Sequence, residues 1–282
     1  MLTRQRRLLA AIALVPLFSL AACSGTSSTS GSSTAEAGSS ASAAGPVSGE
    51  LTVFAAASLQ GAFEEIAQGV KEDNPDLTIT FNFLGSQDLV TALANGDAAD
   101  VLATANNSTM TDAANQSLVG EQTEFATNTL TLIVPKGNPA GITGLDSSLD
   151  GADLVICAPE VPCGEATEKL ATALGVTLNP VSEEQKVTDV RGKVESGEAD
   201  AGIVYTTDAA AATGVEEISI PNGGVINHYP IAITSGAQNT AAAQAFIDYI
   251  LSDKGRAILD THGFGAPGAG ATPSTTASPT GQ

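Results

Sequence analysis

The sequence predicts an α/β protein made of two lobes, each a mostly parallel sheet flanked by helices. Strand-like and helix-like runs alternate throughout the apolar part of the chain, which is the pattern parallel sheets require. That part covers about residues 50–264, more than one small core needs and enough for two lobes of ordinary size. Apolar runs near 127–134 and 229–234 are placed to carry the chain out of a first lobe and back into it. Two such antiparallel crossings make a hinge. The expected division is 51–128 with 229–264 as a discontinuous first lobe, and 129–228 as an inserted second.

The opening run, Leu51-Thr-Val-Phe-Ala-Ala-Ala-Ser58-Leu59, is a β-branched and aromatic strand that passes through three alanines and a serine into helical spacing. Phe63, Ile66, Ala67 and Val70 recur at i, i+3, i+4 and i+7, predicting an amphipathic helix over 58–71 with Ser58 as its N-cap. A strand over 77–83 follows, then a Gly85-Ser86 turn and a helix over 87–95. A strand over 99–103 leads to a helix from about Asn107. A buried-looking strand over 129–134 stops at Pro135. Residues 154–157 form a strand, and 165–174 a helix closed by Gly175. A helix over 187–195 precedes a strand over 201–205. Ile218 and residues 229–234 look extended, and helices over 242–251 and 253–260 complete the fold. The sequence shows no internal repeat.

The ends of the chain have a different character. Residues 1–22 have the build of an export signal: Arg4, Arg6 and Arg7 are basic, and residues 8–20 are apolar but too few to span a bilayer. Leu20-Ala21-Ala22-Cys23 resembles a bacterial lipobox. The resemblance implies lipidation of Cys23 and a mature protein anchored on the extracytoplasmic face of the cell membrane. An ordinary cleaved signal with a chance cysteine is the plainer alternative. Residues 23–50 are almost wholly Ser, Thr, Gly and Ala and read as a flexible tether. Residues 265–282 carry no charged side chain and read as a disordered tail.

Formal net charge is −20, and loss of the three signal arginines makes it more negative still. This argues against nucleic acid as a partner. Aromatic residues are 4% of the chain and Trp is absent, so an aromatic-lined sugar or lipid pocket is excluded. No His/Cys/carboxylate cluster has metal-ligand spacing. Apart from Cys23, two cysteines remain, Cys157 and Cys163. Outside the cell an even pair so close in sequence suggests a disulfide, with two separate buried thiols as the alternative.

Several strand-to-helix junctions are built from small or hydroxyl-bearing residues. Ser58 stands where a strand's carboxyl end meets a helix, the edge at which α/β sheets collect ligands and free helix N–H groups favour anions. Phe83-Leu84-Gly85-Ser86-Gln87 repeats that geometry. Pro162-Cys163-Gly164-Glu165 is a third such turn, offering backbone N–H groups. Thr188-Asp189-Val190-Arg191 begins another helix, and Gly202-Ile203-Val204-Tyr205 places a phenol at a strand end. Each has an ordinary reading: Ser58 and Ser86 as caps, Tyr205 as a core residue, Arg191 as a surface ion-pair residue. No Lys or Arg occurs between Lys71 and Lys136, so an anion near either serine would be held by dipoles and hydroxyls.

Taken in order, the Thr-Val-Phe-Ala-Ala-Ala-Ser-Leu run at 52–59, Gly-Ser at 85–86, Ala-Asp-Val at 99–101, Val-Pro-Cys-Gly at 161–164, Asp-Val-Arg at 189–191 and Gly-Ile-Val-Tyr at 202–205 resemble the periplasmic molybdate-binding proteins of ABC transporters. The resemblance runs from about Leu51 to Phe264. It implies a class II periplasmic-binding-protein clamp that encloses molybdate, and tungstate comparably, with neutral donors. Carried over by motif, the ligand set is Ser58, Ser86, the backbone N–H groups of Cys163 and Val190, and the Tyr205 hydroxyl. It implies no cofactor and no catalysis, a monomer, and delivery of the ion to a membrane permease and its ATPase. Cys163 departs from the small residue common there. The same clamp tuned to sulfate or another tetrahedral oxyanion is the nearest alternative. A secreted serine hydrolase using Ser58 is remote, since only His228 and His262 could serve as base and no Gly-x-Ser-x-Gly elbow exists. A surface lipoprotein with an adhesive or structural role is the remaining alternative.

Overall fold

The computed structural model describes residues 45–268; the signal segment, Cys23, most of the tether and residues 269–282 lie outside the described residues. Two five-stranded sheets carry the fold. The first contains β1 (Gly49–Ala56), β2 (Leu77–Leu84), β3 (Val101–Ala103), β4 (Val119–Asn128) and β10 (Asn227–Thr234), in the order β2-β1-β3-β10-β4. The second contains β5 (Leu130–Pro135), β6 (Leu154–Cys157), β7 (Ser182–Glu184), β8 (Ala201–Tyr205) and β9 (Val215–Ile218), in the order β7-β6-β8-β5-β9.

These two orders are the same topology. Each sheet has three mutually parallel strands, then the strand that enters from the other lobe, then a last strand antiparallel to it. The sheets are therefore mixed rather than mostly parallel. A strand crossing from the opposite lobe arrives pointing the other way, which turns half of the pairings antiparallel. The chain passes between sheets at Thr129 and returns between Ile218 and Asn227.

Helices α1 (Gln60–Asp73), α2 (Ser86–Ala94) and α3 (Asn107–Asn115) belong to the first lobe, with α7 (Thr240–Leu251) and α8 (Asp253–Thr261). Helices α4 (Pro162–Leu174), α5 (Val187–Glu195) and α6 (Thr206–Ala211) belong to the second. Apolar spacing explains the packing. Phe63, Ile66 and Val70 of α1 are buried against Leu51 and Val53 of β1, and Phe63 meets Phe246 of α7 edge-on at 5.5 Å. On the other face of that sheet Phe54 and Leu102 pack with Leu89 of α2 and Met110 of α3. In the second lobe Val190 and Val194 of α5 press on Gly202 of β8.

Several features differ from expectation. Strand β4 is not legible in the sequence, because after Val119 its first half is polar and exposed at a sheet edge and burial resumes only at Phe125–Asn128. The short β7 and α6 leave no clear pattern either. The tether ends before residue 50: Val47 N–H donates to Asn74 Oδ1 at 2.8 Å, and Asn239 donates to the Ser48 carbonyl at 2.9 Å. The tail begins after residue 265, since Gly265 and Thr127 exchange backbone hydrogen bonds at 2.8 and 2.9 Å. Among the described residues no helix is long and apolar enough to cross a membrane.

Candidate functional site

The carboxyl ends of the parallel strands of both sheets face one another across a small cavity of about 10 Å³. Its lining includes Ala57, Ser58, Gly85, Ser86 and Ala105 from the first lobe, and Pro162, Cys163, Lys186, Val187 and Tyr205 from the second. That is room for about one water-sized group, far below the roughly 300–1,000 Å³ of pockets for drug-sized organic ligands, so the closed lobes leave no place for a ligand of that size.

Helix starts around the cavity share a property. The turn beginning at Ala57 follows Ala56, α2 follows Gly85, α4 follows Val161, α5 follows Lys186 and α6 follows Tyr205, and none has a capping side chain. By contrast α3, which follows the wall residue Ala105, and α7 and α8 are capped by Asn106, Asn239 and Ser252. A helix leaves its first N–H groups without an internal partner, and they collect partial positive charge. The uncapped starts are gathered at one place, and apart from the Thr206 N–H of α6, which donates to the Thr129 carbonyl at 2.9 Å, their N–H groups are free for a shared acceptor.

Ser58 is not the N-cap of α1. It lies inside a short 3-10 turn, Ala57–Leu59, that runs into the helix, and its Oγ is 3.0 Å from the Tyr229 hydroxyl. Ser86 is the first residue of α2 and is buried; its Oγ accepts from the Ala105 N–H at 3.1 Å. Tyr205 is buried, and its hydroxyl accepts from Asn227 Nδ2 at 2.9 Å. Ser86 and Tyr205 thus each receive a hydrogen bond on oxygen and keep their own proton. Burial, with the neighbouring Tyr229 hydroxyl and the Asp208 carboxylate, pushes the Tyr205 hydroxyl well above the ordinary phenol range, so it stays a donor.

Cys163 is where the motif puts it, in the first turn of α4 and on the cavity wall. A disulfide with Cys157, Cα–Cα 5.7 Å, ties this turn to the end of β6. Gly164 has no alternative: a Cβ there would lie 1.8 Å from the Ala158 carbonyl oxygen.

Val190 is a correction. It sits one turn into α5, does not line the cavity, and packs its side chain against Gly202. Because α5 starts at Val187, it is Val187 whose N–H is unpaired and on the wall. The Asp-Val-Arg motif is therefore one helical turn past the functional position. Lys186 also departs from the expectation of a site without positive side chains. It lines the cavity, about one-third exposed, with its Nζ 3.6 Å from Asp189 of the same turn.

Sequence reasoning also misses Asn128, Asn227 and Tyr229, which stand behind the hydroxyls. Contacts across the lobes close the arrangement: Glu165 of α4 accepts from Asn106 and, at 2.7 Å, from Ser108, and Gln87 donates to the Gln185 carbonyl at 3.1 Å. Burial raises the Glu165 carboxyl, but hydrogen bonds from Lys169, Ser108 and Asn106 outweigh it and hold the group below its ordinary range. Neither histidine is paired with Ser58: His262 lies against Glu65 at 2.9 Å and His228 against Glu124 at 3.1 Å. Among the described residues no group of His, Cys, Asp and Glu could hold a metal ion.

A two-lobed α/β clamp with a small, donor-lined cavity between its sheets is the design of an extracytoplasmic solute receptor. The family model for bacterial extracellular solute-binding proteins matches residues 51–265, and the chain belongs to that family. It is 44% identical over 230 residues to the molybdate-binding protein ModA of Mycobacterium tuberculosis, covering 79% of this chain and 88% of that protein. Among solved structures, the Azotobacter vinelandii periplasmic molybdate-binding protein aligns with a TM-score of 0.66 at 22% identity, over 77% of this chain and 99% of the other. The sulfate-binding protein SubI of M. tuberculosis aligns with a TM-score of 0.63 at 17% identity, over 76% and 86%. The two structural matches speak for the fold alone, which serves more than one oxyanion.

Proposed function

We propose that this protein is a lipid-anchored receptor that captures molybdate, and tungstate comparably, and hands it to an ABC permease and its ATPase. The observation that carries the reading is the gathering of uncapped helix starts and proton-bearing hydroxyls around one small cavity. Donors there are the hydroxyls of Ser58, Ser86 and Tyr205 and the N–H groups of Ser58, Ser86, Cys163 and Val187, with Val187 replacing Val190. A site made of donors suits an oxyanion that is fully deprotonated at neutral pH. Hydrogen phosphate brings a proton that needs an acceptor, and no carboxylate lines the cavity. Seven charge-assisted bonds at about 1.5–3 kcal/mol each offset the cost of closure and give an affinity in the micromolar to nanomolar range.

Sulfate is a smaller tetrahedron and cannot meet donors on both walls at once. The 44% identity with a molybdate-binding relative supports molybdate over sulfate. Acylation of Cys23 tethers the clamp to the outer face of the cell membrane, where it acts as a monomer. The test is a calorimetric titration with molybdate, tungstate, sulfate and phosphate. Expected is tight binding of the first two only. Sulfate binding as tightly as molybdate defeats the assignment, and heat from none of the four defeats the oxyanion reading itself.

A further inference from the structure

We infer that Asn227 is a positioning residue that aims two of the ligand's hydroxyl donors, one in each lobe. The inference rests on the cavity being an oxyanion site. Asn227 opens β10, where the chain re-enters the first lobe, and is buried. Its Nδ2 donates to the Ala105 carbonyl at 2.9 Å and to the Tyr205 hydroxyl at 2.9 Å, with the Pro162 carbonyl at 3.4 Å. Carbonyl oxygens only accept, so the group facing two of them is the amide NH2 and not the amide oxygen.

That choice fixes two directions at once. Toward the second lobe, Tyr205 must accept from Asn227 and turns its own proton elsewhere. The Tyr229 ring stands beside it, centroids 6.0 Å apart; a dianion in the cavity is a strong acceptor for that proton. Toward the first lobe, the Ala105 carbonyl accepts from Asn227, and the Ala105 N–H donates to Ser86 Oγ at 3.1 Å. Ser86, already accepting, keeps its proton for the cavity it lines. One carboxamide therefore drives a phenol directly and a serine through a single residue, and donors aligned head to tail strengthen each other. Ala105 lies in the first lobe and Pro162 and Tyr205 in the second, so the amide finds all its acceptors only when the lobes are together.

The test is calorimetric titration with molybdate of wild type, N227D, Y205F and the double variant, with the thermal midpoint of each ligand-free protein. The carboxylate introduced by N227D keeps the shape of the amide but only accepts. It draws the Tyr205 proton away from the cavity and puts negative charge behind both donors. Expected is a loss of about 100-fold in N227D and about 10-fold in Y205F, from bonds to a charged ligand. The double variant should lie within about threefold of N227D, since Tyr205 no longer serves the ligand there. Affinity of N227D within about threefold of wild type, or losses that multiply in the double variant, overturn the inference. Asn227→Ala adds no buried charge and covers the case in which N227D does not fold. It should lose about 10-fold, and wild-type affinity there is equally fatal. Wild type binding none of molybdate, tungstate, sulfate and phosphate overturns the oxyanion reading, and this inference with it.

Discussion

In both sheets the three parallel strands end in turns that border the cavity, but the turns of the two lobes offer different atoms. After the first strand of each set stands Ala57-Ser58 in one lobe and Pro162-Cys163 in the other; after the second, Gly85-Ser86 and Lys186-Val187; after the third, Ala105 and Tyr205. The first lobe gives serine hydroxyls with their N–H groups at two turns and uses the third, Ala105, to orient Ser86. The second gives bare backbone N–H groups at two turns and a phenol at the third. One topology thus carries two chemistries. At five of the six turns the fold leaves a helix start without a side-chain cap, and nearly any residue can supply that; Asn106 caps the sixth. This is why the topological repeat leaves no repeat in the sequence.

The comparison breaks most sharply at Gly85. A Cβ there would lie 2.3 Å from the Gln185 carbonyl oxygen, which belongs to the other lobe. Gly85→Ala should hold the lobes apart while each still folds. The expected loss of molybdate affinity is up to about 100-fold, an overpacking cost near 3 kcal/mol, with the ligand-free thermal midpoint unchanged. A matched fall in midpoint would mean that Gly85 serves its own lobe instead.

Val187 tests the second lobe's side of the contrast. Proline is well tolerated at the first position of a helix, where the missing N–H costs the helix nothing. The residue before it, Lys186, is already extended at φ −155° and ψ 152°, close to what a proline demands. Val187→Pro should therefore delete one ligand donor and little else, weakening molybdate binding by about 1.5–3 kcal/mol. Val190→Ala should instead lower thermal stability by loosening the contact with Gly202 while sparing affinity. Wild-type affinity in Val187→Pro would remove the Val187 N–H from the site.

How much of this can be read in the chain follows from where each signal resides. Helix α5 and strand β8 have the bounds that the sequence pattern gives, because α5 buries Val187, Val190 and Val194 at helical spacing and β8 is a short run buried throughout. The cavity's turns are legible as small or hydroxyl residues at strand ends. The expected Ser58 cap is absent because a serine ahead of an apolar helix looks the same in sequence whether it caps or not. Cap residues missing before α2, α4 and α5 are a usable sign, set against the Asn and Ser that cap α3 and α8. Asn128, Asn227 and Tyr229 are not legible. They are far in sequence from the hydroxyls they orient, and only the return of β10 brings them close.

The third turns differ most, and pH exposes the difference. After β8 the second lobe buries Asp208, whose carboxyl is pushed up to about 7 by burial, partly offset by Arg191 and a backbone hydrogen bond from Tyr205. Glu64, Arg191 and His262 line the adjoining space. A pKa above the unfolded value of 3.8 means that stability is fully present below that value and is lost as pH rises through about 7. The thermal midpoint of wild type should fall between about pH 5 and 8 more than that of Asp208→Asn. Equal slopes would remove Asp208 as the source. After β3 the first lobe has no such carboxyl, only the capping amide of Asn106.

The smallest effect is expected at Lys186, the cation that interrupts an otherwise neutral wall. Its charge is spent on Asp189 at 3.6 Å, and its side chain is about one-third in solvent. Exposed pairs of this kind contribute about 0.2–1 kcal/mol and are screened by salt. Lys186→Gln should therefore change molybdate affinity by less than about fivefold, with a weak dependence on ionic strength in both proteins. The donors that remain are backbone dipoles and hydroxyls acting at contact, which salt does not reach. A loss of about 100-fold or more, steeply salt-dependent in wild type, would mean that the second lobe grips its ion by charge. The contrast between the lobes would then be cation against hydroxyl rather than backbone against hydroxyl.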